Sequence, residues 1–110
     1  MDKKRHLREN KDFYRLFRSG KRFESPLFRV VVKPNALLYS RWAFIAPKSL
    51  DKRSTARNRL RRRAREWIRK HTENTSGRYD AAILFKKEAF QAPRQKFYEE
   101  LDKTIRKIID

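Results

Sequence analysis

Apolar residues near the amino terminus recur with the spacing of one helix face. Phe13, Leu16 and Phe17 stand at positions i, i+3 and i+4. Asn10 is suited to cap the start of such a helix, and Gly20 is suited to the left-handed position just after its end. The pattern predicts a short first helix between these two residues.

Three short segments are rich in β-branched, aromatic and small apolar residues, which is typical of strands. They cover residues 27–33, 39–46 and 79–85. Pro34 and Pro47 favour an end to the first two segments. Because those two are close in sequence, we expect them to pair as an antiparallel hairpin.

Two longer helices complete the pattern. The helix predicted from Ser54 to His71 places one apolar stripe on a single face. The stripe consists of Ala56, Leu60, Ala64, Trp67 and His71, with Ile68 at its edge. A last helix follows Pro93 and is marked by Phe97, Leu101, Ile105 and Ile108. The order helix-strand-strand-helix-strand-helix predicts an α+β sandwich, with helices covering one face of a sheet of three or four strands.

Composition narrows the class of protein. The 110 residues suit one domain, 1–110, and carry 31 Lys and Arg against 13 Asp and Glu, a net charge of +18. The absence of Cys excludes disulfides and thiolate metal sites. The longest apolar runs have five residues, too few for a membrane span, and the amino terminus is charged throughout, so we expect a cytoplasmic protein.

The positive charge is concentrated in residues 48–70, which contain eleven basic residues and only two acidic ones. The basic residues are Lys48, Lys52, Arg53, Arg57, Arg59, Arg61, Arg62, Arg63, Arg65, Arg69 and Lys70. With Leu60 at the centre of the buried stripe, the solvent side is predicted to carry Asn58, Arg62, Arg65 and Arg69. Arg57 and Arg61 then lie on one flank, and Arg59, Arg63 and Lys70 on the other.

Such a dense group of like charges repels itself, and bound phosphates would relieve that repulsion. A basic run is usually only a solvated helix face, but this one is so one-sided that it favours a nucleic-acid partner. Charge alone does not say which nucleic acid.

Aromatic side chains offer a second candidate surface. Phe13 and Phe17 lie one turn apart, beside Arg15 and Arg18. They are either core residues or a platform on which unpaired bases stack, and the two roles are compatible. Phe28, Phe44 and Trp67 are expected in the core.

The sequence shows no catalytic arrangement. It has only two glycines, so it lacks a Gly-rich phosphate loop, and its histidines, His6 and His71, have no partners at metal-ligand spacing. We therefore expect no catalytic residue and no metal site in the protein itself.

The segment Ala56-Arg57-Asn58-Arg59-Leu60-Arg61-Arg62-Arg63-Ala64-Arg65-Glu66 resembles the Arg-Asn-Arg motif and basic helix of the protein subunit of bacterial ribonuclease P. The segments 41–48, 12–20 and 77–80 resemble that family's second strand, first helix and third-strand entry. The resemblance covers nearly the whole chain.

The resemblance implies a helix-on-sheet sandwich with a left-handed βαβ crossover. It also implies that a partner RNA with bound Mg²⁺ is the catalyst and that the holoenzyme removes the 5′ leader of precursor tRNA. The catalytic RNA would contact Lys48 and the Arg-Asn-Arg helix, and the single-stranded leader would contact Phe13 and Phe17. No membrane and no small-molecule substrate are expected.

Other functions remain open at this point. A small ribosomal or architectural RNA-binding protein would have the same composition. A DNA-binding module would need base-reading residues on a face that is nearly all Arg. A self-contained nuclease would need a metal cluster that the sequence does not obviously supply.

Overall fold

A computed structural model describes residues 3–72 and 77–109 of the chain. Its helices and strands are α1 (Asn10–Ser19), β1 (Lys21–Glu24), β2 (Phe28–Pro34), β3 (Arg41–Ile45), α2 (Ser54–Thr72), β4 (Tyr79–Phe85) and α3 (Arg94–Ile109). Single 3₁₀ turns occupy Lys3–Arg5 and Lys87–Phe90. The predicted order of elements is confirmed, with one strand added after α1. The polar residues 72–78 predict a loop after α2, and residues 73–76 lie outside the described residues.

The four strands form one sheet in the order β1-β2-β4-β3. β2 pairs antiparallel with β1 and β4, whereas β3 pairs parallel with β4. The predicted hairpin of β2 and β3 is therefore wrong, because β4 lies between them. The run 81–85 is apolar throughout, which suits a central strand covered on both faces, and α2 is long enough to connect two parallel strands.

The strand β1 was not predicted, because its sequence, Lys-Arg-Phe-Glu, is polar and only Phe23 is half-buried. Charged side chains on an edge strand discourage pairing with another chain, so this composition fits its position.

Helices cover both faces of the sheet, not one as predicted. Val30, Val32, Trp42, Ala81 and Ile83 face α2 and α3 and form the main core. The alternate positions Val31, Ala43 and Ala82 face α1 and pack against Leu7 and Leu16. Successive side chains along a strand point to opposite faces of the sheet. Because neighbouring positions in these strands are apolar, both faces are apolar and each is covered by helices.

The ends of α1 differ from the prediction. Its N-cap is Glu9, without a side-chain cap, and Asn10 is already helical. Gly20 has a φ of −71°, outside the left-handed region. Glycine is required there by close packing, because a Cβ atom would clash with the Leu16 carbonyl oxygen and lie 2.8 Å from Val31 Cγ1.

The last helix packs as predicted. Phe97, Leu101 and Ile105 are fully buried, and Phe97 lies 6.2 Å from Phe28 and 6.1 Å from Phe85 between ring centroids. β3, α2 and β4 form the βαβ unit that carries the basic segment; the left-handed sense of the crossover stays a prediction. Among the described residues, no helix is both long and apolar enough to cross a membrane.

Candidate nucleic-acid interface

The buried side of α2 fixes which of its side chains reach solvent. Ala56, Leu60, Ala64, Trp67 and Ile68 are buried, so the predicted stripe is confirmed at every position except His71. His71 is exposed instead of buried; its ring stacks on Trp67 at 4.1 Å between centroids. Most of the remaining residues of α2 are Arg or Lys.

The outermost side of α2 carries Asn58, Arg62 and Arg69, which are exposed as predicted. Arg69 donates to Glu66 at 3.0 Å, and Asn58 accepts from Arg61 at 2.8 Å. Arg62 forms no ion pair with any described residue and is therefore available to a phosphate.

One flank of α2 faces β3 and carries a row of three arginines, Arg57, Arg61 and Arg65, all half-buried. Arg61 donates to the Ala46 carbonyl oxygen at 3.3 Å, and the Arg65 guanidinium lies 5.8 Å from the Phe44 ring centroid. The solvent-side position predicted for Arg65 is wrong, because β3 lies beside this flank and Arg65 packs over its Phe44 ring. Phe44 is half-buried beneath it, whereas Phe28 and Trp67 are core residues as expected.

In the same row, the Nε atoms of Arg57 and Arg65 are buried and have no hydrogen-bond partner among the described residues. Each guanidinium therefore has an incompletely satisfied inner edge, so the row is held by packing more than by hydrogen bonds.

The opposite flank faces α3 and carries Arg59, Arg63 and Lys70, as predicted. Burial lowers the pKa of Arg63, and the neighbouring charge of Arg59 lowers it further. Positive charge is thus crowded on this side, and none of these three cations forms an ion pair with a described residue.

The loop before α2 holds the three remaining predicted contacts, Lys48, Lys52 and Arg53, all exposed. Arg53 forms a two-pronged ion pair with Asp51, at 3.1 and 2.8 Å, which lowers the pKa of Asp51 to about 2. Arg53 is therefore partly neutralised, whereas Lys48 and Lys52 form no ion pair with a described residue.

The rings of Phe13 and Phe17 on α1 stack at 6.1 Å between centroids and 13° between planes. Both are half-buried and pack against the buried cluster that includes Leu16, Val31 and Ala82, as do Ile45 and Leu84 of the sheet, so these four partly exposed side chains surround one apolar cluster. We call these four residues the α1 platform. It has the flat aromatic faces on which bases stack, and it also contributes to packing.

The two arginines predicted beside these rings are exposed but differ in position. Arg18 lies over Tyr14, with its Nη1 donating to the Tyr14 hydroxyl at 3.4 Å. Arg15 lines a separate pocket with Asp12 and Lys33, because it is rotated by about 200° around the helix from Phe13. The structure therefore does not bring Arg15 together with the α1 platform.

An ionic network that the sequence did not reveal fixes α1 in place. Arg41 on β3 donates to Asp80 at 2.9 and 2.6 Å and to Asp12 on α1 at 3.2 Å. The hydrogen bonds that Arg41 donates to Asp80, with a further contribution from Asp12, raise the pKa of Arg41. Because Asp12 precedes Phe13, the network positions the start of the α1 platform.

Metal ligands are not grouped in the described part of the chain. Nowhere in residues 3–72 and 77–109 do three His, Asp or Glu side chains lie close enough together to hold a metal ion. The site offers cationic and aromatic surfaces, and its chemistry is that of polyanion binding.

Comparison with known proteins gives the same family throughout. The model of the family described as Ribonuclease P matches residues 1–109. The ribonuclease P protein component of Fusobacterium nucleatum is 28% identical over 93% of this chain and 91% of its own length. That of Desulfosudis oleivorans is 32% identical over 82% of this chain and 74% of its own length.

Solved structures share the fold. The RNase P protein of Staphylococcus aureus superimposes with a TM-score of 0.87 at 20% identity, covering 96% of this chain and 98% of that one. The Thermotoga maritima protein gives 0.78 at 24% identity, covering 89% and 92%. By its match to the family model over nearly its whole length, the chain belongs to the ribonuclease P protein family.

Proposed function

We propose that the protein is the protein subunit of a ribonuclease P ribonucleoprotein and helps its RNA subunit remove the 5′ leader of precursor tRNA. The single observation that carries this proposal is the basic surface of α2, most of whose arginines have no carboxylate partner among the described residues. Family membership supports the choice of ribonuclease P RNA as the partner.

In this proposal α2 and the loop before it bind the RNA subunit. Arg62 and Asn58 point away from the core, and the row Arg57, Arg61, Arg65 extends the basic surface towards β3. Guanidinium groups bind phosphates through two parallel hydrogen bonds, so this surface suits a folded RNA with closely spaced phosphates.

The α1 platform binds the single-stranded leader. Phe13 and Phe17 present parallel ring faces, and stacking on aromatic rings tolerates any base sequence. Arg18, one residue beyond Phe17, is exposed and adds a positive charge for the leader backbone. Arg15 contributes only to the general positive field.

Catalysis belongs to the RNA subunit, which holds Mg²⁺. The described residues do not fit a protein-borne Mg²⁺ site, because no three potential ligands are grouped among them. The protein's contribution is to reduce phosphate repulsion while RNA and substrate approach each other.

Reconstitution with a bacterial ribonuclease P RNA at low Mg²⁺ tests the proposal. We expect the mixture to release the leader from precursor tRNA, and the protein alone to cleave nothing. Cleavage by the protein alone, or no stimulation of the RNA, would refute it. A ribosomal or architectural RNA-binding protein would bind RNA without stimulating the reaction.

A further inference from the structure

An open groove with a cavity volume of about 410 Å³ lies between α2 and the start of α3. Five cationic side chains line it, four from α2 and one from α3: Arg59, Arg62, Arg63, Lys70 and Arg94. The size lies within the usual range for ligand sites, about 300–1,000 Å³.

The positive charge in this groove is not balanced from within. None of its five cations forms an ion pair with a residue in the described part of the chain. One carboxylate, that of Glu66, lines the groove, and it accepts a hydrogen bond from Arg69 at 3.0 Å. Crowding of this kind opposes folding unless an anion enters.

Two features of α3 add to this environment. The Arg94 guanidinium lies 5.8 Å from the Tyr98 ring centroid, within cation–π range, which holds it beside the groove. The first turn of α3 contains no acidic residue, so the positive end of its helix dipole is also uncompensated.

We propose that the groove between α2 and α3 binds a backbone phosphate of the RNA subunit, with Arg94 as a contact supplied by α3. The inference rests on the proposed function and adds α3 to an interface otherwise formed by α2 and the loop before it. The ligand chemistry is a phosphate group, which a free inorganic phosphate compound could also supply.

Arg94→Gln tests the groove, and Lys107→Gln is the matched control. Arg94 and Lys107 are exposed residues of α3, and Lys107 lies in the last turn, away from the groove. Affinity for ribonuclease P RNA is measured against salt concentration for both variants and for the unsubstituted protein. In a second arm, the Tyr98 ring resonances are followed by NMR as inorganic pyrophosphate is added.

We expect Arg94→Gln to lower RNA affinity about three- to tenfold and to reduce the slope of log K against log salt by about 1. Lys107→Gln should change neither by a comparable amount. A Tyr98 shift with pyrophosphate, lost in Arg94→Gln, would support phosphate recognition. A loss of slope without that shift would support a site specific for the RNA backbone.

Equal effects of Arg94→Gln and Lys107→Gln on RNA binding would overturn the inference. That result, in a protein that still stimulates the RNA, leaves the proposed function intact. Failure of the unsubstituted protein to stimulate the RNA would instead contradict the proposed function itself.

Discussion

Arg41 shows how one side chain connects the candidate site to the fold. Its guanidinium bonds to Asp80 on the neighbouring strand and to Asp12 on α1, and all three side chains are at least four-fifths buried. Asp80 and Asp12 lie 39 and 29 residues from Arg41 in the sequence, so no local pattern could predict the network. Only the assembled sheet brings these charges together.

Arg41→Met is expected to destabilise the protein by about 3 kcal/mol, because it leaves two largely buried carboxylates without their cation. Urea unfolding measures the change. Arg106→Met, which removes an exposed cation paired with Asp102, is the control and should cost no more than about 1 kcal/mol. Equal losses for both variants would contradict a structural role for Arg41.

Arg65 and Arg62 make a second comparison at this scale. Arg65→Ala is expected to cost about 0.5–1 kcal/mol of stability, because its guanidinium covers the Phe44 ring. Arg62→Ala should change stability by less than about 0.5 kcal/mol, since Arg62 is exposed and unpaired among the described residues. Thermal unfolding without RNA checks both, and a larger loss for Arg62→Ala would refute the assignment of Arg65 to the flank.

Among the elements, those with strong periodicity could be predicted from the sequence. Apart from the exposed His71, the buried stripe of α2 lies where its spacing indicated, as do the apolar run of β4 and the core positions of α3. Strand pairing could not be predicted, because the pattern along β2 or β3 shows which faces are apolar but not which strand is the neighbour. Nor could β1, whose charges resemble those of a loop.

The sequence predicted which side of α2 is basic, but not how its side chains lie against the neighbouring elements. The orientation of α2 followed from Leu60 and its neighbours, whereas the place of Arg65 depended on the nearness of β3. Arg94 was not singled out for the same reason, since only the packing of α3 beside α2 places it in the groove.

Phe17→Leu tests the role of α1 in leader binding. Leu retains most of the packing against the sheet but removes the aromatic face, so affinity for precursor tRNA should fall by about 1–3 kcal/mol. Fluorescence titration of the reconstituted holoenzyme measures it. Mature tRNA, which lacks the leader, is the control and should bind unchanged; an equal loss for both substrates would contradict the assignment.

At the scale of the whole molecule, repulsion between like charges opposes the compact fold. The net charge of +18 is carried by a chain with a radius of gyration of only 13.2 Å. Much of it lies on α2, whose other side forms part of the main core. The free protein is therefore expected to be limited in stability by its own repulsion.

Raising the salt concentration from about 20 to about 200 mM should raise the melting temperature of the free protein and weaken its binding to RNA, because screening relieves self-repulsion and reduces counterion release. Calorimetry measures the first effect and filter binding the second. A melting temperature that falls with added salt would show that self-repulsion does not limit stability.

The parallel pairing of β3 with β4 has a consequence for how the protein assembles. These strands can meet only after the intervening chain, including the arginine-rich helix, has returned across the sheet. The connection between β3 and β4 is therefore the same segment that carries the basic surface of α2. A nucleic acid that binds this surface of the folded protein would also stabilise the pairing of the two strands, because a ligand that binds only the folded state shifts the folding equilibrium towards it.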